Sequence, residues 1–119
     1  MLTSVCLPRP AAAQVELVTD GLRVSLDERG HVTSLSDPAR QREYLAAGQP
    51  APLLTIKVGG RLEEPAALRW DARAGVATLR YAVSGVVVRV KAARKPAHIV
   101  FEIAGVEPAN VVDAVIWGA

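Results

Sequence analysis

The tightest constraint on this chain is an apolar/polar alternation of period two, broken at regular intervals by glycine-containing pairs. In "GLRVSLD", Leu22, Val24 and Leu26 alternate with Arg23, Ser25 and Asp27. On a pleated strand one set goes to a core and the other to water. "HVTSLSD" answers it, and the intervening "ERG" brings Gly30, which can take the left-handed conformation a short hairpin loop needs. The pattern then recurs: "PLLTIKV", Gly59-Gly60, "RLEEPAALRWDA", Ala74-Gly75, "VATLRYAV", Ser84-Gly85, "VVVRVKAA". After Pro96 come "AHIVFEIAG" and "NVVDAVIWG", separated by "VEPA". Turn pairs at this spacing of roughly ten residues predict about nine strands. Only "PARQREYLAAG" offers as much as one helical turn, beside Pro38. Consecutive hairpins make an antiparallel sheet, and one-sided burial demands a second layer. The expected fold is an all-β antiparallel sandwich.

At 119 residues the chain suits one domain, and a composition half hydrophobic and 22% charged is that of a folded protein. Aromatics are only 4%, so Val, Leu, Ile and Ala must fill the core. The 14 basic and 12 acidic residues are interspersed. Their densest basic stretch, "RVKAARK" from Arg89 to Lys95, has no aromatic neighbour, which argues against a nucleic-acid partner. It reads as a solvated strand end, with an anionic polysaccharide as the alternative ligand. Cys6 is the only cysteine, so neither an internal disulfide nor a cysteine metal cage can form. No apolar run approaches the roughly 18 to 20 residues of a membrane-spanning helix, so no membrane span is expected.

"PRPAAAQVEL" places Ala11, Ala12 and Ala13 before Gln14, the small-residue pattern that ends a secretory signal. "MLTSVCLPRP" is too short for a full signal, so residues 1–13 read as a truncated remnant and residues 14–119 as the domain. A secreted or periplasmic location follows. Cys6 is then part of the remnant; as a lipid-attachment site it lacks the usual small residue before it.

In "VVVRVKA" Val86, Val88 and Val90 share one face. The last strand is apolar on both parities: Val111, Val115 and Trp117 on one side, Val112, Ala114 and Ile116 on the other, with Asp113 the lone charge. Such a strand belongs in mid-structure, and an uncovered second face would be an exposed apolar stripe. The covering layer is therefore expected from sequence downstream or from another chain, with Val112, Ala114, Ile116 and Trp117 as domain-interface candidates.

His31 and His98 sit on separate predicted strands without metal-binding spacing, and no metal or cofactor is expected. Glycosidase chemistry needs two opposed carboxyl groups. Asp27, Glu28, Asp37 and Asp71 lie near turns or on outward parity, and Glu63-Glu64 beside Pro65 reads as a solvated loop. Glu102 and Asp113, on consecutive predicted strands, are candidate cross-strand neighbours. No nucleophile elbow, phosphate loop or dinucleotide fingerprint occurs, and no catalytic residue is assigned. Trp70 and Trp117 are the candidates for stacking on a sugar. Trp70 shares parity with Leu68 and Ala72, which favours a core role, whereas Trp117 fits an interface or a cleft equally well.

The succession "GLRVSLDERGHVTSLSD", "REYLAAGQPAPLL" and "VVDAVIWG" resembles the N-terminal β-sandwich, of galactose-mutarotase-like supersandwich type, of large secreted bacterial glycoside hydrolases. The resemblance covers roughly residues 15 to 118 and rests on pattern. It implies a partner catalytic domain, commonly an (α/β)8 barrel, that carries the acid and the nucleophile. In that family Trp-Gly is often followed by Pro and more chain, whereas here Ala119 follows. The resemblance implies a non-catalytic domain that supports the catalytic one and helps form its substrate cleft. A stand-alone carbohydrate-binding module and a protein-interaction or oligomerisation domain are the alternatives.

Overall fold

A computed structural model of the chain describes residues 15–45 and 49–118. The expected signal remnant, residues 1–13 with Cys6, lies outside the described residues. The described chain forms twelve strands: β1 Val15–Val18, β2 Arg23–Leu26, β3 His31–Asp37, β4 Arg42–Glu43, β5 Ala51–Pro52, β6 Leu54–Val58, β7 Arg61–Glu63, β8 Ala67–Asp71, β9 Val76–Arg80, β10 Val87–Arg94, β11 Ile99–Glu107 and β12 Val112–Trp117. They make three antiparallel sheets. The first runs β1-β2-β3-β4 with β5 also on β3, the second β12-β6-β7, and the third β11-β10-β9-β8. The expected all-β, sandwich-like architecture is observed. One core joins the sheets, with Leu26 from the first, Ile56 from the second, and Leu79, Val88 and Val90 from the third, all under 2% exposed.

The β2–β3 hairpin forms as its alternation predicts. Strands beyond the expected nine arise from breaks. Pro65 divides "RLEEPAALRWDA", because it can neither donate a ladder hydrogen bond nor continue a central strand. As a result β7 pairs with β6 in the second sheet while β8 pairs with β9 in the third. The described part of "PARQREYLAAG", residues 38–45, contains a turn beside Pro38 but no helix. The Asp37 carboxylate accepts the Ala39 and Arg40 amides, setting a turn over Pro38–Gln41, and Arg42–Glu43 folds back on β3. Asp27 and Asp71 cap turns in the same way, the Asp27 Oδ1 accepting from Arg29 and His31 and the Asp71 Oδ1 from Arg73 and Ala74.

The sheets are tied where the β2–β3 loop meets the other two. Leu53 N donates to the Gly30 carbonyl at 3.0 Å, and Leu68 N donates to the Glu28 carbonyl at 2.7 Å. Gly30, at φ +85°, lies so close to Leu79 and Pro65 that an added Cβ would force Leu79 to shift. Tyr81, fully buried, donates its hydroxyl to the Leu54 carbonyl at 2.6 Å and so joins the third sheet to the second. Burial, and secondarily the Glu63 carboxylate, push this phenol well above its ordinary range, keeping it a neutral donor.

The last strand departs from expectation. β12 lies at the edge of the second sheet and pairs only with β6. Pro108 and a single 3-10 turn, Ala109–Val111, carry the chain from β11 in the third sheet to the open side of β6. A bulge between Val112 and Ala114 leaves Asp113 out of the register and reverses the parity ahead of it. Val112 therefore joins Val115 in packing on the core, while Ala114 and Ile116 are exposed.

Candidate functional site

An apolar groove of about 530 Å3 opens where the three sheets come together. Val24 and Leu35, cross-strand partners on β2 and β3, form its first wall. Ala51, Pro52 and Leu53 form its floor, placed by the pairing of β5 with Val32 and His31. Phe101 from the third sheet and Trp117 from the second close the remaining side, their ring centroids 6.3 Å apart and tilted by 40°. Trp117 sits opposite Leu54 on β6, and its end of the strand is pinned twice. Gly118 N donates to the Leu53 carbonyl at 3.0 Å, and the Thr55 hydroxyl donates to the Gly118 carbonyl at 2.8 Å.

One acidic side chain holds the opposite lip. Glu43 on β4 accepts the Ser34 hydroxyl at 2.6 Å, the Leu35 amide at 2.8 Å and the Leu45 amide at 3.1 Å. Leu35 and Leu45 both line the groove, so this carboxylate positions its wall. These hydrogen bonds, the one from Ser34 foremost, hold the Glu43 carboxyl below its usual range.

The structure separates the two tryptophans. Trp70 on β8 packs half-buried against the core, as its parity predicts, while Trp117 is 47% exposed at the groove. Of the interface candidates, Ile116 and Trp117 are exposed with Ala114 beside them, and Val112 turns inward. Glu102 and Asp113 are not cross-strand neighbours. Glu102 stands opposite Lys91 on β10, and Asp113, in another sheet, accepts the Gly60 amide at 3.3 Å. Neither Glu63 nor Glu64 is a free loop residue: Glu63 accepts the Val83 and Ser84 amides, and Glu64 Oε1 lies 3.0 Å from His31 Nε2. The His31 side chain is only 7% exposed, strapping the β2–β3 loop to the β7–β8 link, and His98 is exposed. Among the described residues no three His, Cys, Asp or Glu side chains converge as metal ligands, and no helix is long and apolar enough to cross a membrane.

The groove thus presents apolar contact area with an indole at its rim and an unpaired strand edge alongside. Compared with known proteins, the sequence matches no family model, and no curated protein and no solved structure shows significant similarity to it.

Proposed function

We propose that this chain is a non-catalytic β-sandwich domain of an exported carbohydrate-active enzyme, packed through its groove and the β12 edge against the catalytic domain. The observation that carries the docking role is the exposure of Trp117 (47%) and Ile116 (39%) on an edge strand beside an apolar groove. Isolated exposed apolar residues are ordinary, but an aromatic rim, an apolar hollow and an open strand edge in one place mark an interaction surface. The sequence resemblance supports a glycoside hydrolase catalytic domain as the occupant. Reading the gene beyond codon 119 tests it. A barrel with two opposed carboxylates is expected, and in the two-domain protein Trp117→Lys should uncouple the domains into separate thermal transitions. A stop codon followed by unrelated coding overturns the reading.

The same exposed indole favours a second reading, a glycan-binding module that stacks a sugar on Trp117. In that case affinity electrophoresis in neutral polysaccharides shows retardation that Trp117→Ala abolishes. A broad panel without retardation removes it.

A further inference from the structure

The outer face of the third sheet lies away from the groove and has its own chemistry. Register places Arg69, Thr78 and Arg89 in one row across β8, β9 and β10, since Arg69 pairs with Thr78 and Thr78 with Arg89. Directly paired residues of an antiparallel ladder share a face. Arg80 lies one row along on β9, diagonal to both arginines, so three exposed arginine side chains emerge from positions around Thr78. Neighbouring strands are about 4.8 Å apart, which puts the Arg69 and Arg89 backbones about 10 Å from each other. Like charges gathered this closely cost stability unless something anionic joins them.

Arg89 is pre-set. Its Nη1 donates to Glu107 at 2.9 Å, and its guanidinium lies over Gly105, where a Cβ would come within 2.6 Å of Nη2. An arginine carries five N–H donors, so this one bond leaves others for a ligand. Among the described residues, Arg69 and Arg80 form no ion pair. Asp71, in the row beyond, spends its Oδ1 on the Arg73 and Ala74 amides. Lys91 and Glu102, cross-strand partners in the row of Asp71 and Val76, also face outward and are exposed. Val76, Val87, Ala93 and Val100 on the same face are small and aliphatic, while Trp70 and Phe101 pack on the core side.

We infer that the outer face of the third sheet, at Arg69, Arg80 and Arg89 around Thr78, binds an acidic polysaccharide through its sulfate or carboxylate groups. Guanidinium forks match such oxyanions in geometry. The three arginines are exposed to solvent, which lets a polymer reach them. The face offers no aromatic platform, so single-stranded nucleic acid, which needs stacking, is disfavoured.

Affinity electrophoresis of the full chain in dextran sulfate, polygalacturonate and uncharged dextran tests this. Retardation in one or both acidic polymers and none in dextran is expected, the two acidic arms telling sulfate from carboxylate. Arg69→Gln and Arg80→Gln should each weaken binding about tenfold, the contribution of a charge-assisted hydrogen bond. Gly105→Ala should weaken it without changing the net charge, by displacing the Arg89 guanidinium, while Lys95→Gln, away from the row, should leave it unchanged. Absence of retardation in both acidic polymers, equal weakening by Lys95→Gln, or tighter capture by a single-stranded DNA oligonucleotide would each overturn the inference.

Discussion

Replacing Gly30 by alanine tests whether the three sheets are locked together at one point. Two costs arise there. The backbone at φ +85° is a conformation that L-residues adopt at a cost of about 1–2 kcal/mol. The added Cβ would also lie 2.8 Å from Leu79 Cδ2 and 3.1 Å from Pro65 Cγ. Leu79 is fully buried and Pro65 is buried too, so neither can step aside freely, and overpacking of this kind costs about 1–3 kcal/mol. The total, about 2–5 kcal/mol, is a large fraction of the roughly 5–15 kcal/mol by which domains are stable. Gly59→Ala supplies the control, because Gly59 also has positive φ, +57°, but its Cβ would meet nothing within 4 Å. Urea unfolding of both variants, followed by tryptophan fluorescence, should show Gly30→Ala less stable than Gly59→Ala by about 1–3 kcal/mol, the contact share alone. Equal midpoints and slopes for the two variants would refute the lock, since the shared backbone cost would then account for everything.

Tyr81→Phe removes the hydroxyl that joins β9's end to the Leu54 carbonyl and should cost about 1–3 kcal/mol in urea unfolding, the penalty of a buried acceptor left without its donor. The sign of its pH effect follows from the raised phenol. Stability is fully present below the ordinary tyrosine value of about 10 and falls as pH rises beyond it, a fall that Tyr81→Phe should lessen. Glu43 acts in the opposite sense: its carboxyl is lowered, so its contribution is present above the ordinary carboxylate value and is lost as pH falls through the lowered one. Protection factors at Leu35 and Leu45, taken relative to the intrinsic exchange rate at each pH, should fall selectively on acidification, and Glu43→Gln should remove that pH dependence.

Local signals in the sequence correspond to local structure. The parity of Val86, Val88 and Val90 puts all three in the core, and the aspartates before turns become the acceptors that shape those turns. Contacts between distant segments leave no such trace. Glu63 and Glu64 look solvated beside Pro65, yet one reaches amides 20 and 21 residues away and the other a histidine 33 residues away. The groove is illegible for the same reason, since its walls come from three sheets whose order alternation does not specify. The last strand misleads in another way. Apolar residues on both parities suit a strand between two layers, and they suit equally an edge strand beside an apolar hollow. A one-residue bulge at Asp113 then reassigns Val112 to the inner face, and periodicity alone carries no mark of that insertion.

This arrangement makes the two proposed surfaces separable by experiment. The groove is bounded by β2, β3, β11 and β12, and its β11 and β12 walls have no fully buried residue. Strands so thinly covered open by local fluctuation well below the global unfolding free energy. An occupant of the groove would therefore slow amide exchange along β11 and β12, bridging the third sheet to the second. A polyanion on the outer face touches β8, β9 and β10, where Leu68, Leu79, Val88 and Val90 already anchor the inner side. Their amides open mainly by global unfolding, so such a ligand should slow them only by the overall stabilisation that binding confers, uniformly across the most protected positions. Uniform slowing with dextran sulfate, and slowing confined to β11 and β12 with a groove partner, are the two expected patterns. A polyanion that protected β12 first would mean that it binds at the groove, and the division of labour between the faces would fail.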